Sequence, residues 1–311
     1  MPIHETDPWR EQYFAPVPCP EGLLIPTDDE TAYQLNPDHR WLYNKLLVAR
    51  SQGLECGACA RAPSNYPVFS KPIVNLEGMG IGSRVLRNVE EYERHCNNGN
   101  FWTELLEGPH ISTDWALIRG EPHWCRHAHG IPGPGGTFDH WIIETEDRPE
   151  LERYSCEWIA QFLPDYTGMV NIETIGGRII EVHLRLTDQW PDLYGAGWVD
   201  AVIDLYQNHR WHFADADRAE GYSVVLFGPH GVRYRHPAPE RLQEYRARPE
   251  VKSVQITFSE RLPPSAHAMP PGGFRLAVVN CTCLVTGMQL RSELEREFGL
   301  QESEQLDRLA G

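Results

Sequence analysis

The sequence predicts an α+β fold built from two packed units and a β-rich C-terminal region. Residues 169–175 and 178–185 have the pattern of two strands, and Gly176-Gly177 between them is a typical two-residue hairpin turn. Apolar residues in 151–163 recur at helical spacing, whereas three strand-like runs follow one another after residue 215. A length of 311 residues favours two units over one.

The composition excludes several classes of protein. The chain has 44 acidic residues against 28 Lys and Arg and a formal net charge of −16, which argues against a nucleic acid or an anionic membrane as partner. No apolar run approaches the roughly 18 residues of a membrane-spanning helix. The polar N-terminus is unlike a secretory signal, so we expect a cytoplasmic protein. Only three of the basic residues are lysines: Lys45, Lys71 and Lys252.

The elements can be assigned in order along the chain. Residues 1–40 contain seven prolines and predict an irregular arm with at most short strands. A helix capped at Asn36 should then extend to Gly53. The remaining predicted strands are 68–74, 101–106, 110–118, 123–129, 222–227, 251–258 and 274–283, the remaining helices are 151–163, 198–206 and 289–309, and 85–96 is a short helix or turn.

Two groups of potential metal ligands lie outside the hairpin. Cys56 and Cys59 have metal or redox spacing, but no second pair follows at zinc-site distance, so buried or idle reduced thiols are favoured. The strand at 123–129 has four potential ligands on one face: His123, Cys125, His127 and His129. A sheet face that lines a polar cleft is favoured there over a metal site.

The predicted hairpin brings acidic side chains close together, which is electrostatically unfavourable. Alternation puts Glu181 and His183 on one face of their strand, and Asn171 and Glu173 on one face of the partner. A tight turn brings the two carboxylates together, and such a pair repels unless a divalent cation lies between them. For the hairpin alone, an exposed face with solvated acids is the alternative interpretation.

A lysine and a run of glycines precede the hairpin. Lys71 ends a strand, and Gly78, Gly80 and Gly82 follow, so that backbone N–H groups can approach an anion while the lysine supplies a point charge. The run has neither the Gly-Lys-Ser/Thr of a Walker loop nor the helix of a Rossmann fingerprint. A flexible hairpin loop is the alternative interpretation.

Taken in order, these segments resemble the ATP-grasp family of ATP-dependent carboxylate–amine ligases over residues 42–185. The resemblance implies the ATP-grasp fold, in which two α+β subdomains clamp ATP, followed here by a small β-rich C-terminal region. The implied domains are a Pro-rich arm (1–40), a small lobe with a glycine-rich lid (41–108), a large lobe with the metal-binding hairpin (109–212), and a β-rich region ending in a charged helix (213–311).

The resemblance also implies roles for individual residues. Lys45 and Lys71 match the family's two phosphate-binding lysines, and Lys71 and Arg185 are the implied catalytic residues. The implied nucleotide contacts of the lid, the adenine hinge and the ribose position are Gly78, Gly80, Gly82, Glu104, Leu105, Leu106, Glu107 and His110. Asp114 matches the aspartate that follows this segment in the family.

The implied metal ligands are Glu173, Glu181 and His183, where histidine stands in place of the family's asparagine. Imidazole suits Mg²⁺ less well than Mn²⁺ or Zn²⁺. An altered metal preference and the loss of a second metal ion are therefore both open.

The resemblance implies a ligase that activates a substrate carboxylate as an acyl-phosphate, joins it to an amine or similar nucleophile, and releases ADP and phosphate. ATP and Mg²⁺, or Mn²⁺, are the implied cofactors, and a small-molecule acid and amine are the implied partners. The forty residues before the match are too few for the family's leading substrate domain, so we expect a homodimer or a partner subunit. Arg126, His127 and His129 are candidates for holding the acid. An ATP-grasp kinase and a non-catalytic nucleotide-binding regulatory module are the alternatives.

Overall fold

The computed structural model describes residues 8–14, 16–18 and 20–300. The helices are Pro8–Phe14 (α1), Asp29–Leu35 (α2), Lys45–Ser51 (α3), Val89–His95 (α4), Pro149–Phe162 (α5), Trp198–Asn208 (α6), Pro239–Arg246 (α7) and Leu284–Glu297 (α8). The strands are Cys56–Ala58 (β1), Val68–Pro72 (β2), Arg84–Leu86 (β3), Asn100–Glu104 (β4), His110–Ile118 (β5), Glu121–Pro132 (β6), Phe138–Ile143 (β7), Gly168–Ile175 (β8), Arg178–His183 (β9), Gly221–Gly228 (β10), Val251–Ile256 (β11) and Phe274–Cys281 (β12). Short 3-10 helices lie at Pro37–Tyr43, Pro134–Gly136, Pro191–Leu193 and Pro264–Ala266.

The larger of two sheets has eight strands in the order β11-β12-β10-β7-β6-β5-β8-β9, and neighbouring strands are antiparallel. The hairpin predicted around Gly176-Gly177 is present as β8 and β9. Its register sets Glu173 opposite Glu181, and Asn171 opposite His183. These four polar residues therefore lie side by side at one edge of the sheet.

Both faces of the larger sheet are covered. Along β5, Ala116 packs into a cluster with α6 on one face, whereas Trp115 and Leu117 pack with α5 on the other. This alternation is the period-2 pattern of a strand that is buried on both sides. Strands β10 to β12 continue the same sheet, since β10 pairs with β7, and α8 packs on their far face.

The smaller sheet has four antiparallel strands in the order β1-β4-β2-β3. Its core contains Val68, Leu86, Tyr92 and Trp102, so β2, β3 and β4 pack against α4. The structure therefore agrees with the predicted α+β class: two mixed layers face one another, and the hairpin lies at the edge nearest the smaller sheet.

A disulfide in the smaller lobe corrects one expectation. Cys59 is bonded to Cys96, 37 residues away, at the C-terminal end of α4. The interpretation of Cys59 as a reduced thiol is therefore wrong, while Cys56 is a free cysteine. The fold brings Cys59 against a distant helix end, a contact that spacing along the chain does not reveal.

The two sheets are joined by residues 105–109, which run from β4 to β5 and lie against the turn of the β8–β9 hairpin. Gly108 and Gly176 meet so closely there that a Cβ added at Gly108 would lie 2.8 Å from the Cα of Gly176. Both glycines have positive φ angles, +123° and +56°. Glycine is needed at both positions because the backbones touch.

The expectation of an irregular N-terminal arm is wrong for the part that the structure describes. Helices α1 and α2 form there, and Asp28 caps α2 by accepting a hydrogen bond from the N–H of Thr31. Phe14 and Ile25 are buried in the core beside the larger sheet. The prolines flank these helices rather than prevent them, and burial of apolar side chains fixes the segment.

Three other predicted boundaries differ from the structure. The helix expected from Asn36 to Gly53 is divided at Asn44 into a 3-10 helix and α3. The segment 85–96 begins as strand β3 before α4. Helix α8 ends at Glu297, and the part of the predicted helix beyond residue 300 lies outside the described residues. None of the described helices is long and apolar enough to cross a membrane.

Candidate functional site

Two lysines of the smaller lobe meet the acids of the hairpin between the two sheets. The Nζ of Lys45 lies 2.6 Å from Oε1 of Glu181, and the Nζ of Lys71 lies 3.7 Å from the same atom. Lys71 also donates a hydrogen bond to the carbonyl of Ile180 at 2.8 Å. Residues that are over one hundred positions apart in sequence thus form one charged cluster, as the resemblance implied.

Local structure fixes both ammonium groups. Lys45 is the first residue of α3, whose N-cap Asn44 accepts a hydrogen bond from the N–H of Leu47. Lys71 lies on β2, which is flanked by β3 and β4. The two lysines are only 7% and 5% exposed. A buried lysine is uncommon without a charged partner, so the cluster is organised around charge.

The ammonium groups keep Glu181 ionised. Burial raises the pKa of its carboxyl, but the charges of Lys45 and Lys71 outweigh burial and lower that pKa to about 2. Burial also raises the pKa of Glu173, yet a hydrogen bond from His110 and the charge of that residue lower it below the usual value. Both carboxylates are therefore negatively charged at neutral pH.

For Lys71, in contrast to Glu181, burial has the larger effect on the pKa. Burial lowers the pKa of its ammonium group to about 8, although the charges of Glu181 and Glu173 oppose the shift. The nearby charge of Lys45 lowers the pKa further. The site thus concentrates positive charge in a buried place, which is the property that an anion such as a phosphate requires.

His183 stands between the two carboxylates and is 5% exposed. Its Nε2 lies 3.7 Å from Oε1 of Glu173 and 3.7 Å from Oε2 of Glu181. These distances are too long for hydrogen bonds, and this buried Nε2 has no hydrogen-bond partner among the described residues. The other ring nitrogen, Nδ1, lies 2.9 Å from Oδ2 of Asp29.

Asp29 also pairs with Arg185, which follows β9. The Nε of Arg185 donates to Oδ1 of Asp29 at 3.0 Å, and Nη2 lies 3.4 Å from Oδ2. The Nη1 group donates to the carbonyl of Leu186 at 3.1 Å. Burial raises the pKa of Asp29, but Arg185 and His183 reverse that effect and hold the pKa well below its usual range.

Asp29 is a site residue that the sequence did not reveal. It belongs to the segment interpreted as an irregular arm, and it is 154 residues from His183. The available signal was local: Asp28 and Thr31 have the spacing of an N-cap and its partner, which predicts a helix start at that place. Nothing in the local pattern predicts the contact with His183.

The outer side of Glu173 is closed by His110 and aromatic rings. The Nε2 of His110 lies 2.9 Å from Oε2 of Glu173. Its ring meets Phe138 and Trp141 edge-on, at centroid distances of 5.0 and 5.5 Å. The structure therefore brings His110, predicted at the ribose position, to a hairpin carboxylate.

A buried hydrogen-bond network supports the hairpin from below. The side-chain amide of Asn171 donates to Ser112, Asp114 and Thr187 at 2.8, 2.8 and 2.9 Å. Asp114 also accepts hydrogen bonds from Thr187 and from the hydroxyl of Tyr194. Asp114 is fully engaged in this network, so it supports the strands rather than facing the cluster.

The glycine run forms the exposed loop between β2 and β3. Gly78, Met79 and Gly80 have consecutive positive φ values of 69°, 58° and 62°, and Gly82 has one of 76°. Side chains added at Gly78 or Gly80 would meet nothing within 4 Å. The loop therefore has free space beside these two glycines.

The predicted hinge residues lie at the end of β4 (Glu104) and in the connector between the sheets (Leu105, Leu106 and Glu107), outside the charged cluster. Oε1 of Glu104 accepts a hydrogen bond from the N–H of Glu55 at 2.9 Å, inside the smaller lobe. Leu105 and Leu106 are half-buried, whereas Glu107 is exposed. The carbonyl of Glu107 lies beside Gly176, in the turn of the hairpin that carries Glu173 and Glu181.

Two of the three candidates for holding a substrate acid, Arg126 and His127, are engaged elsewhere, while His129 is half-buried on β6. Arg126 is buried and donates to Asp215 and to the carbonyls of Glu144 and Ala219, so it has no role in an open cleft. His127 lies on the opposite face of β6, under α5, between Thr113 and Glu152. The expectation that these two residues hold a substrate is therefore wrong.

One of the two possible metal clusters from the sequence is partly assembled. Ligand atoms of Cys125, His127 and Glu152 lie within 4.8 Å of one another on that face. Both ring nitrogens of His127 already have hydrogen-bond partners, Thr113 and Glu152, at 2.9 Å each. These hydrogen bonds account for the arrangement without a metal ion. His123 is exposed and outside this group.

The cluster on the hairpin presents a different set of potential ligands. It offers two ionised carboxylates in direct cross-strand register and a buried imidazole nitrogen that lacks a partner among the described residues. Carboxylate oxygens are the preferred protein ligands of Mg²⁺ and Mn²⁺, and imidazole is tolerated by Mn²⁺. The two buried ammonium groups of Lys45 and Lys71 lie beside these carboxylates.

Comparisons with known proteins agree with this architecture. No protein-family model and no curated protein matches the chain. Among solved structures, it is similar to an L-amino acid ligase from Bacillus licheniformis, with a TM-score of 0.60, 15% identity, and coverage of 93% of this chain and 82% of that one.

Two further solved structures are similar over most of their length. A carboxyaminoimidazole ribonucleotide synthase from Aspergillus clavatus, complexed with ATP, has a TM-score of 0.58 and 11% identity over 88% of this chain and 82% of its own. The biotin carboxylase domain of a Hydrogenobacter thermophilus 2-oxoglutarate carboxylase, in complex with MgADP and bicarbonate, has a TM-score of 0.56 and 15% identity over 88% and 73%. At such low sequence identities, the structural similarity shows a shared fold and no more.

Proposed function

Because this chain has the ATP-grasp fold, we propose that it is an ATP-dependent ligase that joins a small-molecule carboxylate to an amine or similar nucleophile. The supporting observation is the meeting of two buried lysines with two paired carboxylates between the sheets. Compact ammonium groups suit phosphate oxygens, and paired carboxylates suit the metal ion that accompanies a nucleotide. ATP and Mg²⁺, or Mn²⁺, are the proposed cofactors.

The residues that would hold the metal are Glu173 and Glu181, with His183 beside them. When bound there, the ion would neutralise charge on the phosphate oxygens of ATP. In the free protein Lys45 and Lys71 neutralise Glu181 instead. Nucleotide binding would therefore exchange partners: the lysines would pair with phosphate oxygens, and the carboxylates would face the cation.

In the first proposed step, a carboxylate oxygen of the substrate attacks the γ-phosphorus of ATP. The bond from that phosphorus to the bridging oxygen breaks, and ADP leaves with the electron pair. Lys45 and Lys71 hold the phosphates in line. Arg185 has five N–H groups, of which three contact Asp29 and Leu186, so two N–H groups are left for the transferred oxygens.

In the second proposed step, the amine attacks the acyl carbon of the acyl-phosphate. The bond from carbon to the phosphate oxygen breaks, and the amine proton passes to the departing phosphate. This intermediate reacts readily with water, so the loop that contains Gly78, Gly80 and Gly82 is proposed to close over it. The segment Glu104, Leu105, Leu106 and Glu107 is proposed to contact the base of the nucleotide. His110, which already contacts Glu173, is proposed to contact the ribose.

The proposal is tested by measuring ADP formation. Purified protein is incubated with ATP and Mg²⁺ in the presence of pooled organic acids that lack an amino group, first alone and then with pooled amines and amino acids. We expect ADP only when an acid is present, and more ADP when an amine is added. Glu181→Gln should abolish ADP formation, because it removes a metal ligand and leaves two ammonium groups uncompensated.

Two outcomes would favour the other functions. ADP formation that needs no amine, together with a stable phosphorylated product, would indicate a kinase. Nucleotide binding that survives Glu181→Gln, with no ADP from the parent protein, would indicate a non-catalytic nucleotide-binding module. The cytoplasmic location and a second subunit at the acceptor site remain predictions.

A further inference from the structure

The contact between Asp29 and His183 links the N-terminal segment to the hairpin. Both residues are 5% exposed, and the shorter of their two contacts joins Nδ1 to Oδ2 at 2.9 Å. Asp29 is the first residue of α2, and the sequence pattern of the hairpin does not predict this contact. A carboxylate buried beside a prospective metal ligand needs a reason, because burying charge is costly.

The hydrogen-bond geometry decides which ring nitrogen carries a proton. The guanidinium of Arg185 contacts both oxygens of Asp29, which is the pairing of an ionised carboxylate. An ionised carboxylate has no proton to donate, so the hydrogen in the contact with His183 belongs to Nδ1. In the neutral ring, Nε2 then carries a lone pair.

That lone pair has a direction. The ring orientation fixed by Asp29 sets Nε2 at 3.7 Å from a carboxylate oxygen of Glu173 and of Glu181 alike. The Nε2 atom is buried and lacks a hydrogen-bond partner in the described part of the chain. A cation among these three groups would have one nitrogen and two carboxylate oxygens as ligands.

We propose that Asp29 is a positioning residue that holds His183 as a nitrogen ligand of the nucleotide's divalent cation, so that the site prefers Mn²⁺ to Mg²⁺. Carboxylate–histidine–metal arrangements fix both the tautomer and the orientation of the ligating ring. A site with two carboxylates and one imidazole is softer than an all-oxygen site, which moves its preference away from Mg²⁺.

Arg185 gives Asp29 a second function in the same arrangement. The guanidinium contacts both carboxylate oxygens of Asp29, and Nδ1 of His183 contacts the same two oxygens. One carboxylate therefore sets the orientation of a metal ligand and of the proposed catalytic arginine. A change at Asp29 should disturb both, whereas a change at His183 should disturb the metal alone.

This inference rests on the proposed function, and its test separates the two. The wild-type protein is loaded with Mn²⁺ and ADP, and pulsed electron paramagnetic resonance detects nitrogen coupled to the metal. Protein grown with ¹⁵N-histidine should show ¹⁵N coupling, which distinguishes the imidazole from the adenine ring. We expect that coupling in wild type and its loss in His183→Asn, with Mn²⁺·ADP still bound.

The second measurement is metal affinity in the presence of ADP, by titration calorimetry. Asp29→Asn should weaken Mn²⁺ binding by about 10- to 100-fold, as changes to partners of metal-bound histidine commonly do. In His183→Asn the ratio of Mn²⁺ to Mg²⁺ affinity should fall by about tenfold. Circular dichroism and thermal unfolding check that each variant is folded.

Asp28→Asn is the matched control. It makes the same change in charge at the neighbouring position, but Asp28 caps α2 and contacts Thr31. Asparagine caps helices as well as aspartate does, so α2 should persist. Metal affinity and the nitrogen coupling should both equal those of wild type.

Three results would overturn the inference. Bound Mn²⁺·ADP without ¹⁵N coupling in wild type excludes His183 as a ligand, and this needs no variant to fold. Coupling that is unchanged in folded Asp29→Asn removes the positioning role. Higher turnover of Asp29→Asn with unchanged coupling would make Asp29 a competitor of the substrate carboxylate. If wild type binds no metal nucleotide at all, the proposed function itself fails.

Discussion

Three lysines among 28 basic residues make this chain unusual, and two of them lie in the cluster between the sheets. Apart from Lys252, the other basic residues are arginines, including Arg126 and Arg185, which pair with Asp215 and Asp29. Lysine is a compact point charge, while arginine is a planar fork that needs more room. The positions of Lys45 and Lys71 therefore follow from space as well as from charge.

Replacing these lysines by arginine tests that explanation. Lys45→Arg and Lys71→Arg keep the charge but overfill a buried place, which costs about 1–3 kcal/mol. We expect each variant to bind Mg²⁺·ADP about tenfold more weakly, which corresponds to about 1.4 kcal/mol. Titration calorimetry measures the affinity. Lys252→Arg, on the exposed side of β11, is the matched control and should bind like wild type.

The pKa of Lys71 predicts a pH dependence of nucleotide binding. Burial lowers this pKa to about 8 in the free protein, and bound phosphates would raise it by stabilising the ammonium form. Binding should therefore take up a proton above pH 8, and affinity should fall as pH rises. At pH 9 we expect affinity about tenfold lower than at pH 7, since one pH unit corresponds to about 1.4 kcal/mol.

Calorimetry in buffers of different ionisation enthalpy measures that proton uptake. Lys71→Met should bind more weakly and lose the pH dependence between 7 and 9. An affinity of the wild type that is constant over this range would show that Lys71 does not pair with the phosphates.

Among the elements, the β8–β9 hairpin carries the proposed metal ligands and depends on its turn. The turn backbone lies against the connector between the sheets, where a Cβ at Gly176 would be 2.2 Å from the carbonyl oxygen of Glu107. At Gly177 the same addition meets nothing within 4 Å, although its φ is also positive, at 78°. The two glycines thus differ in contact while sharing a backbone conformation.

Alanine at each glycine separates these two effects. A positive φ alone costs a non-glycine residue about 1–2 kcal/mol, so Gly177→Ala should lower stability by that amount. Gly176→Ala should cost about 1–3 kcal/mol more, because the connector must move. Chemical denaturation measures both. Equal losses for the two variants would show that the connector does not press on the turn.

An element could be predicted when residues close together in sequence determine it, and was missed when long-range contacts determine it. The hairpin was predictable because Gly176-Gly177 and the alternation of β8 and β9 are local signals. Strand β7 has no counterpart among the predicted elements, since it follows a Gly/Pro-rich loop and its residues are largely apolar on both faces. Helix α2 was hidden among prolines, and its burial depends on contacts with residues far along the chain.

The same distinction applies to the site. Lys45, Lys71, Glu173, Glu181 and His183 were predicted, and the structure brings all five together. Asp29 and the pairing of Cys59 with Cys96 were missed, because both are long-range contacts. Arg126 was assigned from position alone, and its burial against Asp215 corrects that assignment.

For the whole molecule, the essential feature is a charged cluster between two sheets that a single connector joins. The smaller lobe contributes positive charge and an open glycine loop, while the larger sheet contributes carboxylates and an imidazole. Strands β10 to β12 extend the larger sheet away from this cluster. Such an arrangement suits a polyanion with its cation, held where water can be excluded.

The central claim is that a carboxylate is activated by transfer of the γ-phosphoryl group. The most direct measurement is the fate of ¹⁸O when the protein turns over ATP and Mg²⁺ with pooled carboxyl-¹⁸O acids and amines. An acyl-phosphate passes one carboxylate oxygen to phosphate, so we predict ¹⁸O in the released inorganic phosphate, and none with Glu181→Gln. ADP formed together with unlabelled phosphate, or no ADP with any acid in the pool, would contradict the claim.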